Sequence, residues 1–291
     1  MIDMIAQSLI CGVLMGGIYA VMASGLSLIF GVTRVTQIAH PVLIVVGCYL
    51  TLWLSKAAGV DPFLAILIVG PMLFAVGVTV YRLIVVHSSK GPSTAVLLSL
   101  FGLILILESA VGAVWSTDYR AIHSIYQGRS LVIGDLAISL PRLMAFGVAA
   151  LSMGLLFGFL NYTETGRAIR ATSQDKETAQ VLGVNVRRVF TIVFGVSTAL
   201  AGVGGALMGI IYSFYPALHW QWMGVVFSVV VFGGLGSIQG AVLAALAIGI
   251  AESLTSFFIG AQWAPAIAFA ILLGTLMIRP QGLLGAKQER I

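Results

Sequence analysis

Gly233-Gly234-Leu235-Gly236-Ser237-Ile238-Gln239-Gly240 interrupts an uncharged run that extends from Val189 to Ala251. The reading of this octet decides the fold. Each glycine in a helix interior costs about 1 kcal/mol relative to alanine, so a break inside the apolar stretch 222–255 is the cheap expectation. That stretch is long for one span and short for two. A kink at the octet leaves one crossing, whereas a turn leaves two.

The rest of the chain sets the frame. It has 291 residues, 59% of them hydrophobic and 9% charged, against roughly 45–50% and about 25% in globular chains. A soluble surface carries roughly 25–35% charged residues, so lipid is the expected main solvent. Residues 4–33, 35–55, 62–81, 91–107 and 143–163 carry no charge, nor do 253–278. Spans are expected near 8–30, 40–55, 62–81, 92–112, 143–161, 189–212 and 262–278. At about 20 residues per span, eight or nine crossings leave about a hundred residues outside the bilayer. A separate catalytic domain in water is not expected.

Basic residues arbitrate the octet, because loops rich in Lys and Arg stay in the cytoplasm. Two crossings put Arg34; Arg82 and Lys90; Arg167, Arg170, Lys176, Arg187 and Arg188; and Arg279, Lys287 and Arg290 on the inner side. One crossing moves the last three outside and nearly equalises the two sides. The expectation is an all-α polytopic membrane protein of about nine transmembrane helices, with eight as the alternative. The chain then forms a single transmembrane domain, 1–291, with the N-terminus outside and the C-terminus inside. An arm of 13 residues rises only about 20 Å against a core of about 30 Å, so one arm is not expected to cross in full.

Asp3 stands where a signal peptide would be positive, so the first apolar run reads as a retained span. Cys11 and Cys48 lie in apolar runs and read as small hydrophobes. The net charge of +5 would suit nucleic acid in a soluble chain, but on these loops no nucleic-acid partner is expected. The four lysines are followed by Ala, Gly, Glu and Gln, so there is no phosphate-binding Gly-Lys-Ser/Thr loop. With no His-Glu-x-x-His or Gly-x-Ser-x-Gly, neither catalysis, a metal nor a cofactor is expected.

Two segments lie outside the lipid. Residues 113–142 fall outside the cell and mix charges with aromatics, with a hairpin turn possible at Gly134-Asp135. Residues 163–188 fall inside, with five basic and three acidic residues. There Thr172 with Asp175 three residues later resembles a capping box, and Gly183 suits a left-handed helix stop. One helix of two or three turns is expected between them, with Ala179 and Leu182 on one face. It reads either as a solvated loop or as a knob for a partner's groove.

Glu177-Thr178-Ala179-Gln180-Val181-Leu182-Gly183 resembles the Glu-Ala-Ala-x-x-x-Gly coupling motif of bacterial ABC importer permeases. The preceding 165–171 and Asp175 resemble the coupling loop of branched-chain amino acid permeases of the LivH type. Gly16-Gly17-Ile18-Tyr19-Ala20 with 25–32, the glycine octet, and Arg279-Pro280-Gln281-Gly282-Leu283-Leu284-Gly285 resemble further blocks of that family. Together they run from the first span to the tail. Thr178, Gln239 and Gln281 replace residues common in the family, and the departure that matters is Gln37-Ile38-Ala39-His40-Pro41, where the family usually has Asn-Phe-Ala-His-Gly and proline removes a backbone donor.

The resemblance implies the ABC-importer permease fold in the bacterial inner membrane. It also implies a LivM-like second permease subunit, two cytoplasmic ABC ATPase subunits and a periplasmic solute-binding protein, with no cofactor. It assigns ATPase coupling to Gly166, Arg167, Arg170, Asp175, Glu177, Ala179 and Gly183. The translocation path would include Tyr19, His40, Gly233, Gly234, Gly236 and Ser237. For His40 a helix-boundary role, bonded to backbone, competes with the path. For the intramembrane acids Glu108 and Glu252, both near outer span ends, structural and lining roles stay open. The resemblance implies a branched-chain or related hydrophobic amino acid as the solute, or else urea, a short amide or an aromatic acid. An ATP-independent carrier or channel is the rival class.

Overall fold

The computed structural model describes residues 2–134 and 136–285. The expected inner charges Lys287 and Arg290, and the hairpin residue Asp135, lie outside the described residues. The helices are α1 (Ile2–Thr33), α2 (His40–Ala57), α3 (Pro62–Val80), α4 (Val86–Ser88), α5 (Ser93–Trp115) and α6 (Leu140–Tyr162). They continue as α7 (Glu164–Gln174), α8 (Lys176–Val181), α9 (Val186–Ile211), α10 (His219–Gly233), α11 (Ile238–Phe258) and α12 (Ala264–Ile278). A π turn, Tyr81–Val85, joins α3 to α4. Between α5 and α6, β1 (Ser130–Ile133) pairs antiparallel with β2 (Leu136–Ser139) in a two-stranded hairpin.

Among the described residues nine helices are long and apolar enough to cross a membrane. The octet is a turn. Gly234 and Gly236 adopt φ +101° and +86°, which glycine does without a Cβ penalty. Ser237 then opens α11 by accepting from the Gly240 amide at 3.0 Å, an ordinary N-cap. The short arm is longer than expected. Its helical path starts at Pro216 through the 3₁₀ turn Pro216–Leu218, so the two arms run over Pro216–Gly233 and Ile238–Phe258 rather than within 222–255. Other helix starts were written locally: Asp61 caps α3 ahead of Pro62, and Asn185 caps α9.

Packing centres on α1, which lies along α11 and α9, while α9 also packs on α2 and α3. Lipid supplies no hydrophobic drive between helices, so close backbone approach at small residues is favoured. A Cβ added at Gly12 would stand 2.6 Å from the Ile250 Cα, and one at Gly16 2.7 Å from the Leu246 Cα. α1 and α11 therefore touch backbone to backbone. Leu98, Ile106, Leu151, Leu155 and Leu273 on α5, α6 and α12 face away from the protein, which suits contact with acyl chains.

Candidate functional site

The segment between α6 and α9 holds two helices rather than one. α7 begins where Thr163 accepts from the Gly166 amide at 2.9 Å, and it buries Gly166, Ile169 and Thr172 against the bundle. A Cβ on Gly166 would meet the Phe159 and Leu160 carbonyls. Arg170 closes the end of α6, donating to the Leu160 carbonyl and, at 3.1 Å, to Asn161 Oδ1. Arg167 pairs with Glu164 at 3.6 Å in water, a contact worth little by itself. Thr172 is not a cap. Its hydroxyl donates back to Ala168 at 2.8 Å, because the buried face of α7 carries the helix past it.

The cap is Asp175. Its carboxylate accepts from the Glu177 and Thr178 amides at 2.9 and 3.1 Å and from the Thr178 hydroxyl. Those bonds, the Thr178 hydroxyl's first, hold the carboxyl below its ordinary value. At the other end Gly183 adopts φ +88°. Its amide donates to Gln180 at 3.1 Å, and the Val184 amide to Ala179 at 3.0 Å, the double closure of a Schellman stop. Between these ends Ala179 points inward, 3% exposed, while Val181 and Leu182 are 87% and 78% exposed. Ala179 and Leu182 therefore do not share a buried face. Glu177 is exposed beside them.

Next to this segment the blocks of sequence meet. Phe30, Gly31 and Arg34 of the α1 end, Ser173 of α7, Gly236 and Ser237 of the octet, and Pro280, Gln281, Leu284 and Gly285 of the tail line one cavity of about 670 Å³. The tail is strapped to the end of α10: the Leu283 amide donates to Phe232 at 2.8 Å and the Leu284 amide to Gly233 at 3.0 Å. Gly234 accepts no side chain, because a Cβ there would strike Gly285. Gly233 and Gly234 therefore seat the tail rather than line the cavity. This is the break end of the bundle.

The opposite, hairpin end holds a second cavity, about 720 Å³, whose walls include Tyr19, Arg142, Tyr212, Trp222 and Glu252. Tyr19 donates to Glu252 Oε2 at 2.7 Å. The antiparallel helices make this reach possible, since side chains lean toward their own helix N-terminus and these two lean toward each other. His40 lines neither cavity. It is fully buried at the start of α2, with Nε2 2.8 Å from the Met22 carbonyl. Glu108 stands 3.7 Å from the buried His219 and so joins α5 to α10, whereas Glu252 lines the cavity. Arg142, the last residue of the outer segment 113–142, stands in the wall of this cavity. Its signal was its place at the mouth of an apolar run.

Comparison with known proteins gives a consistent result. The profile of the family described as the permease component of the branched-chain amino acid transport system matches residues 8–278. The high-affinity branched-chain amino acid transport permease LivH of Escherichia coli strain K12 is 29% identical, over 96% of this chain and 95% of that protein. BraD of Pseudomonas aeruginosa, described in the same terms, is 29% identical over 96% and 95%. The fructose import permease FrcC of Rhizobium meliloti is 31% identical over 55% of this chain and 47% of its own length.

Proposed function

Because this chain belongs to the branched-chain amino acid transport permease family, we propose that it forms half of a translocation path for branched-chain or related hydrophobic amino acids. It is a multi-pass, non-catalytic permease subunit of an ABC importer. A LivM-like permease completes the path. Of two cytoplasmic ATPase subunits, one docks on α8 and its flanks: Arg167 and Glu177 face the partner, while Gly166, Arg170, Asp175, Ala179 and Gly183 hold α7 and α8 in place for it. A periplasmic binding protein delivers the solute at the hairpin end. The N-terminus is periplasmic and the break end, with the tail, cytoplasmic.

The observation that carries the coupling role is the short helix itself. Six residues cannot hold a helix in water alone, yet α8 is capped at both ends and extends Val181 and Leu182 into solvent. Adjacent exposed apolar side chains on a rigid mount suit a partner's groove. The tail strap and Ser173 sit at one cavity wall, so a push on α7 and α8 has a route to the α10–α11 turn. Glu177→Arg reverses a charge on the docking face without touching the caps. It is expected to lower solute-stimulated ATP hydrolysis by the reconstituted complex at least about tenfold while the chain still inserts. Normal stimulation in that variant overturns the coupling assignment.

A further inference from the structure

The hairpin-end cavity brings together two opposite charges that the fold leaves unanswered. Arg142 stands in the first turn of α6, where the helix dipole favours an anion rather than a cation. A helix-stabilising role does not explain it. Among the described residues the ion pairs are Glu164 with Arg167 and Glu108 with His219, so neither Arg142 nor Glu252 has a charged partner. The Arg142 guanidinium leans on the Tyr212 ring, 5.9 Å from its centroid, and Nη1 donates to Cys11 Sγ at 3.7 Å, a weak acceptor. Most of its five donors are left for something else. The carboxylate of Glu252 accepts from Tyr19 and makes no other hydrogen bond among the described residues. Ionisable groups in a span are costly and are kept where they meet a ligand or each other.

We infer that this cavity binds the zwitterionic head of an α-amino acid, with the carboxylate on Arg142 and the ammonium on Glu252. The assignment rests on the proposed importer function and narrows its solute. An arginine fork matches a carboxylate in two parallel bonds, and the α6 N-terminus beside it adds its own field. The rest of the wall suits a hydrophobic side chain: Met15, Leu218, Trp222, Val225 and Phe257 are apolar. The volume of about 720 Å³ lies inside the range of about 300–1,000 Å³ for small-molecule sites. Urea, a short amide or a sugar would leave both charges desolvated and unpaired, at a cost. The site also has a fixed rim. Gln7 donates to the Ala137 carbonyl at 2.7 Å, tying α1 to the hairpin strand that runs into α6 and Arg142.

The test is direct binding of tritiated leucine, by scintillation proximity, to the purified complex of permease pair and ATPases without binding protein. 4-Methylpentanoate, which lacks the ammonium, and isoamylamine, which lacks the carboxylate, serve as competitors. Each is expected to compete at least about tenfold more weakly than leucine, as loss of one charge-assisted contact implies. Glu252→Gln should abolish leucine's advantage over 4-methylpentanoate and leave its advantage over isoamylamine. Arg142→Gln should do the reverse. A misfolded variant would lose both together and binds nothing, so the crossed pattern is specific to the charges. Absence of leucine binding to the wild-type complex, or unchanged selectivity in both variants, overturns the site. If the same complex with its binding protein still imports leucine, the proposed function survives that loss. If it imports no amino acid, the function falls as well.

Discussion

Replacement of Gly183 by alanine isolates the rigidity of α8 from everything else in the protein. Gly183 holds φ +88°, and an added Cβ would meet nothing within 4 Å. The penalty is therefore confined to the backbone, about 1–2 kcal/mol for an L side chain in the left-handed region. That shifts the balance between closed and frayed α8 by a factor of about 5–30. Asparagine tolerates this conformation better, so Gly183→Asn should lie between glycine and alanine. The reporter is the Val184 amide, whose bond to the Ala179 carbonyl at 3.0 Å exists only with the closure in place. Hydrogen exchange at Val184 is expected to quicken in the order Gly, Asn, Ala. Solute-stimulated ATPase activity should fall in the same order. The thermal midpoint should stay put, since Ala179 is the one residue of α8 that is buried. Unaltered exchange at Val184 in the alanine variant would refute the reasoning, and so would faster exchange spread over the whole bundle.

Two further outcomes follow from other parts of the fold. Gly16→Val places side-chain atoms where a Cβ alone would already stand 2.7 Å from the Leu246 Cα; overpacking of that kind costs about 1–3 kcal/mol. The thermal midpoint in detergent should drop, while Gly102→Val, with nothing within 4 Å of its Cβ, should not lower it. Cys11 is partly exposed on the hairpin-end cavity, whereas Cys48 is buried with its thiol donating to the Gly205 carbonyl at 3.0 Å. A membrane-impermeant maleimide added outside intact cells should therefore label this chain at Cys11 and lose it in Cys11→Ala. Labelling only after the cytoplasmic face is opened would invert the proposed orientation.

Legibility in the sequence followed the range of each interaction. The glycine turn and the Gly183 stop are set by residues within four positions of one another, and each was readable in place. The membrane class was readable for a different reason, because lipid as solvent constrains composition along the whole chain. Thr172 shows where local reading fails. It has a cap's chemistry, but burial of Ile169 and Thr172 against the bundle carries the helix on to Gln174, and no spacing rule contains that contact. The octet and the tail signature lie far apart in sequence, so nothing local tells that Gly233 and Phe232 accept bonds from Leu284 and Leu283. Charges were the most misleading class. Arg142 read as a loop residue and Glu252 as one of two equivalent acids, since a sequence shows that an ion is in lipid but not what faces it. Glu108 found His219, and Glu252 found a tyrosine and a cavity. The Tyr19 contact that holds Glu252 at the cavity wall depends on the packing of α1 along α11. That packing is itself permitted by Gly12 and Gly16, whose missing side chains are what bring Tyr19 within reach of Glu252.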